Sequence, residues 1–111
     1  MSQITTHILD TSQGRPAKNV EVILFKLQND WVEIGRGVTD QDGRIAGLLP
    51  EKTALKFGIY KLVFDTKSYF DAQSVQAFYP VVEITFEVSS NAHYHVPLLL
   101  NPFGYSTYRG S

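Results

Sequence analysis

Few residues in this chain can do chemistry, and they sit in short, separated stretches. There is no cysteine, which excludes a thiolate nucleophile, a Cys-ligated zinc and any disulfide. The sequence has no H-E-x-x-H, no G-x-S-x-G and no phosphate-cradling glycine loop. What remains is three histidines, one arginine after a turn glycine, and an unusual last segment. His7 lies in "THILD", His93 and His95 lie in "HYH", Arg44 ends "DGR", and the chain closes on "YSTYRGS".

These residue types suit hydrolysis by water. An imidazole with an ordinary pKa of about 6.5 is neutral enough near pH 7 to take a proton from water. A fixed guanidinium stabilises the negative charge that builds on a carbonyl oxygen under attack, or holds an anionic group of the substrate. One histidine would activate water, and another would orient it or protonate the leaving group. Ser111 offers a hydroxyl to position water or substrate. Direct attack by Ser111 is a second route, although no carboxylate-backed triad is apparent. A His-x-His pair with His7 as third ligand would also suit zinc or copper. No acidic or cysteine ligand is spaced nearby, so the expectation is a metal-free site with no cofactor. Each residue also has a plainer reading. Any single histidine is more simply an unrelated surface residue, and Tyr108 is equally a packing residue of a last strand. For Arg109 the plainer reading is preferred, a guanidinium paired with a carboxylate or the terminal carboxylate to hold the tail. Trp31 is read as packing and not as a base-stacking platform.

Period-two alternation shows which elements must carry these groups. "ITTHILD" is a strand with Ile4 and Ile8 on one face and His7 and Leu9 on the other. "SQGRPAKN" is a loop. "VEVILFKL" is a strand whose Val20, Val22 and Leu24 share a face, and "NDWVEIGRGVT" is the next. The turn "DQDGR" follows, where Gly43 supplies a positive φ and Arg44 is placed at a strand's mouth. "GIYKLVFD" is a strand, and "TKSYFDAQ" is a short helix expected to open on a Thr or Ser cap. In "VVEITFEV", Val82, Ile84, Phe86 and Val88 alternate with Val81, Glu83, Thr85 and Glu87. "HYHVPLLL" places Tyr94, Val96, Leu98 and Leu100 inward, and His93, His95, Pro97 and Leu99 outward. Pro97 cannot donate to a ladder, so its strand is expected at an edge or a bulge. "YSTY" is a last short strand. Seven or eight short strands with almost no helix read as an antiparallel β-sandwich. An outward face bearing Leu9, Pro97 and Leu99 beside histidines is expected to be covered, by a subunit or a ligand.

The bulk properties narrow the partners. A length of 111 residues reads as one domain, residues 1–111, without linker or repeat. Hydrophobic residues make up 43% and aromatics 13%, which excludes a disordered chain. A formal net charge of -1 gives no electrostatic reason for nucleic acid or anionic membrane as partner. No apolar run approaches the roughly 20 residues of a spanning helix. "MSQITTHILD" has no signal-peptide pattern, and a cytoplasmic location is the expectation.

In "THILD", "RPAKNVEV", "DGR", "GIYKLVFDTKSYF", "FYPVVEITFEV", "HYHVPLLL", "LLLNPFGYST" and the terminal "YRGS", the chain resembles the transthyretin-related family, specifically its 5-hydroxyisourate hydrolases. The resemblance runs nearly end to end, and "YRGS" is its most specific part, since it separates these hydrolases from transthyretin proper. It implies a transthyretin-like, all-β sandwich of about eight strands with one short helix. It also implies a homotetramer, a dimer of dimers with sites in clefts where the dimers meet. The implied reaction hydrolyses the cyclic amide of 5-hydroxyisourate to 2-oxo-4-hydroxy-4-carboxy-5-ureidoimidazoline, on the way from urate to allantoin. The family's functional residues fall on His7, Arg44, His95 and the tail Tyr108-Arg109-Gly110-Ser111, with His93 left out. Two other readings stay open. One is a non-catalytic carrier of a small aromatic ligand, as transthyretin is, and the other is an adhesive or regulatory sandwich module.

Overall fold

The computed structural model describes residues 2–50 and 53–111. Eight strands and one helix follow in the order β1 (Ile4–Asp10), β2 (Arg15–Pro16), β3 (Glu21–Leu27), β4 (Trp31–Val38), β5 (Gly58–Phe64), α1 (Thr66–Asp71), β6 (Val82–Val88), β7 (Tyr94–Asn101) and β8 (Gly104–Thr107). Two four-stranded sheets result, ordered β2-β1-β7-β8 and β4-β3-β5-β6. The inner faces are those marked by alternation. Val20, Val22, Leu24, Leu62, Phe64, Val82 and Val88 of one layer and Ile4, Ile8 and Leu98 of the other are fully buried. Each such apolar side chain stabilises the fold by about 1.5–3 kcal/mol relative to exposure, so a one-residue slip of any strand is heavily penalised.

Among the described residues every strand pairing is antiparallel except one. β1 runs parallel to β7, with Thr5 opposite His95 and His7 opposite Pro97. This brings the first strand and the last long strand together at the centre of their sheet. Pro97 therefore lies in an interior strand and not at the expected edge. Its carbonyl accepts a bond from the Thr107 hydroxyl at 2.7 Å, so the missing N–H also points toward β8. The β7–β8 ladder stops at Leu98–Thr107, one residue short of needing that donor.

Two further details differ from expectation. Arg15 and Pro16 leave the loop to pair briefly with β1. The cap of α1 is Asp65, and neither a Thr nor a Ser. Its carboxylate accepts from the Ser68 N–H at 3.2 Å and from the Ser68 hydroxyl at 2.7 Å. Thr66 is turned inward instead, and its hydroxyl donates to the Tyr79 carbonyl at 3.2 Å.

The turn between β4 and the site is held by one carboxylate. Asp40 Oδ1 accepts from the amides of Asp42 and Arg44 at 2.8 and 3.1 Å, and the Arg44 carbonyl accepts from the Asp40 amide at 2.8 Å. Gly43 has φ of 73°, and its carbonyl accepts the Ile8 N–H at 2.9 Å. A Cβ there would sit 2.4 Å from the Ile8 carbonyl oxygen. Gly43→Ala is thus expected to cost on the order of 1–3 kcal/mol, read as a lower urea midpoint. An unchanged midpoint would mean that β1 does not constrain this turn.

Candidate active site

The outer face of the β1–β7 pair opens into a cleft of about 610 Å³. Strand pairing alone puts Thr5 and His7 beside His95 and Pro97 on its floor. One wall comes from the turn, where Arg44 makes a single antiparallel bridge to His7. The opposite wall comes from the tail, where the Gly110 N–H donates to the His95 carbonyl at 2.8 Å. Tyr108, Gly110 and Ser111 all line the cleft. All the residues assigned roles in the sequence, His7, Arg44, His95, Tyr108 and Ser111, border the same space.

The tail is close-packed at one point. A Cβ on Gly110 would meet His95 Cδ2 at 2.6 Å and Pro97 Cγ at 3.1 Å. Only a glycine lets the backbone lie this near the histidine ring. Pro97 is buried as a result, covered by the chain's own tail. Leu9 and Leu99, expected outward with it, are half-buried. Among the described residues Arg109 pairs with no side-chain carboxylate. Its guanidinium carbon lies 4.3 Å from the centroid of the Tyr94 ring, a cation–π contact that grips the tail from the side facing away from the cleft.

Two residues passed over in the sequence belong to the cleft. Thr5 and His93 both border it, and the Thr5 hydroxyl lies 2.8 Å from His93 Nε2 and 2.8 Å from His95 Nδ1. Alternation contained the signal for Thr5, which is two residues before His7 and so shares its face. Among the described residues no group of three or more His, Cys, Asp or Glu side chains converges as a metal site. The three imidazoles share a cleft without forming a ligand cage.

Several cationic groups bear on His95. Burial pushes the His95 imidazole below its ordinary 6.5, and the positive fields of Arg44, His93 and His7 add to that. Each of these disfavours imidazolium, so His95 keeps its lone pair at lower pH than a free histidine. The unfolded chain binds this proton first. The contribution of His95 to stability is therefore complete above 6.5 and declines as pH falls below it. An NMR titration should place the His95 midpoint below 6.5 in the parent. Arg44→Met should raise that midpoint only part of the way, because burial is the larger cause. A midpoint that did not move would separate Arg44 electrically from His95.

A histidine-lined cleft with a guanidinium at its rim, set on the outer face of a transthyretin-like β-sandwich, defines the class of protein. The chain belongs to the HIUase/Transthyretin family, whose model matches residues 4–110. It is 49% identical over 110 residues to a 5-hydroxyisourate hydrolase of Salmonella dublin, an alignment that covers 97% of this chain and 80% of that protein. The structure of Klebsiella pneumoniae 5-hydroxyisourate hydrolase superposes with a TM-score of 0.84 at 35% identity, covering 97% of this chain and 98% of the other. Sea bream transthyretin in complex with thyroxine superposes with a TM-score of 0.91 at 34% identity, covering 98% and 95%. The fold is common to a 5-hydroxyisourate hydrolase and to a transthyretin in complex with thyroxine.

Proposed function

We propose that this cleft hydrolyses the cyclic amide of 5-hydroxyisourate, with His95 and His7 as the acid–base pair and Arg44 as the electrostatic partner. The observation that carries this reading is the convergence of His7, Arg44, His95 and Ser111 on one cleft from three distant parts of the chain. A carrier has no need of a suppressed imidazolium beside a guanidinium, whereas water activation does. His95 is the base, because burial and its cationic neighbours keep it unprotonated. It takes a proton from water as the oxygen attacks the amide carbonyl. Arg44 meets the charge that develops on the carbonyl oxygen, or the anionic edge of the substrate, in a water-poor cleft. His7 orients the water and hands a proton to the leaving nitrogen. Ser111 fixes water or substrate through its hydroxyl, and Tyr108 closes the wall with a ring and a hydrogen bond.

Residues 1–111 act here as one domain, and the working form is a homotetramer with its sites where dimers meet. Support for an assembly comes from the apolar surface left on one chain. Phe78 and Phe103 are each 70% exposed, and Tyr105 is 42% exposed at the β8 edge. Surfaces of this kind mark contacts between proteins. Among the described residues no helix is long and apolar enough to cross a membrane. A cytoplasmic location is part of the proposal.

The test is spectrophotometric, with 5-hydroxyisourate generated immediately before mixing. The parent should accelerate its decay, and EDTA should leave the rate unchanged. His7→Asn and His95→Asn should each lose on the order of 10²–10⁴-fold while sedimenting as the parent does, as a tetramer. Loss of activity to EDTA with recovery on zinc would place a metal in the site. No acceleration, together with tight binding of a thyroxine-like ligand, would make the protein a carrier.

A further inference from the structure

The Thr5 hydroxyl sits between two imidazole nitrogens at equal distances, 2.8 Å to His93 Nε2 and 2.8 Å to His95 Nδ1. A hydroxyl owns one hydrogen, so it donates to at most one ring while accepting from the other. Two arrangements place that hydrogen between the rings. In the first, His95 Nδ1–H donates to Thr5, which donates to His93 Nε2. His95 then keeps a bare Nε2, the form that accepts a proton from water. In the second, His93 Nε2–H donates to Thr5, which donates to His95 Nδ1. His95 then carries Nε2–H, the form that donates a proton. The tautomer of the partly buried ring is tied to the proton on the exposed one.

We propose that His95, Thr5 and His93 form a proton wire that moves the charge created by catalysis out of the cleft to His93. The proposal rests on the hydrolytic reading above, and each step conserves atoms. As water attacks the carbonyl carbon, its O–H breaks and an N–H forms at His95 Nε2. The His95 Nδ1–H passes to Thr5 Oγ1, and the original Thr5 hydrogen passes to His93 Nε2. The imidazolium therefore resides on His93 and not on His95. The reverse sequence returns the proton through His95 Nε2 to His7, which hands one on to the leaving nitrogen, and restores both neutral rings.

Location explains why the charge moves. His93 is exposed, whereas His95 is half-buried. His95 also faces His7 from β1, Arg44 from the turn and Tyr108 from the tail, so a second positive charge is poorly tolerated there. The two rings lie nearly parallel, with centroids 6.2 Å apart and planes at 26°, a spacing that leaves room for the hydroxyl between them. Thr5 and His93 act through His95 and are positioning residues in this scheme.

Nitrogen-15 NMR of the histidine side chains in the ligand-free protein tests the wire without any substrate. In the parent, acidification that protonates His93 should convert His95 from the Nδ1–H to the Nε2–H form, and in Thr5→Val this coupling should vanish. Kinetically, Thr5→Val and His93→Asn should each lower kcat about tenfold, less than removal of a direct acid–base group, with KM unchanged. The double variant should be no worse than either single one, because both break the same wire. Thr5→Ser keeps the hydroxyl and should retain the parent rate and coupling, which separates the relay from a packing role. A His95 tautomer indifferent to His93, or losses that multiply in the double variant, would overturn the wire even if the parent hydrolyses 5-hydroxyisourate.

Discussion

The site depends on one parallel pairing, β1 with β7, and on two single bridges fastened to its flanks. The parallel register sets Thr5 opposite His95 and His7 opposite Pro97, so the floor is fixed by backbone bonds and not by side-chain packing. The His7–Arg44 bridge then brings in a turn, and the His95–Gly110 bridge brings in the tail. Each wall hangs on a residue whose missing side chain makes the approach possible. Gly43 lies against the Ile8 carbonyl and Gly110 against the His95 ring. Groups 37 and 51 residues apart in sequence (7 to 44, 44 to 95) thereby meet in one cleft.

Assembling three imidazoles and a guanidinium in one cleft has a predictable electrostatic result. Like charges oppose further protonation, and burial removes the water that would offset them. His95 bears the consequence and is held below its ordinary pKa. A histidine kept neutral is a usable base, and a guanidinium that cannot lose its proton is a permanent partner for developing negative charge. The sandwich core takes no part in this chemistry. Its role is to hold β1 and β7 rigidly enough that the Thr5 hydroxyl meets both rings at hydrogen-bond distance. The same fold occurs in sea bream transthyretin in complex with thyroxine, and a fold by itself does not decide function.

Much of this was legible in the sequence, and the misses share a cause. Alternation identified the inward faces of β1, β3, β6 and β7 because burial on one side imposes a period of two. It placed His7 and His95 on one outward surface for the same reason, and Gly43 announced the turn that delivers Arg44. What alternation cannot supply is which strands are neighbours. Pro97 was expected at an edge because a ladder needs its N–H. The strand is central, and the ladder simply ends one residue short. The cover expected over Pro97 is the chain's own tail, a contact across 13 residues that no local pattern encodes. Thr5 and His93 acquire meaning only through a cross-strand hydroxyl, and Arg109 only through a ring on β7. The α1 cap was misplaced by one residue or more because Asp, Thr and Ser cluster there, and each is a competent cap.

The central claim is that the tail is a wall of the site and not a loose end. It is tested most directly by removing Tyr108 through Ser111 and measuring 5-hydroxyisourate turnover beside thermal unfolding. A frayed end tolerates truncation. A bridged wall that supplies Ser111 and covers Pro97 does not. The account predicts that turnover is abolished while the sandwich still unfolds cooperatively near the parent temperature. Turnover at the parent rate in the shortened chain would contradict it.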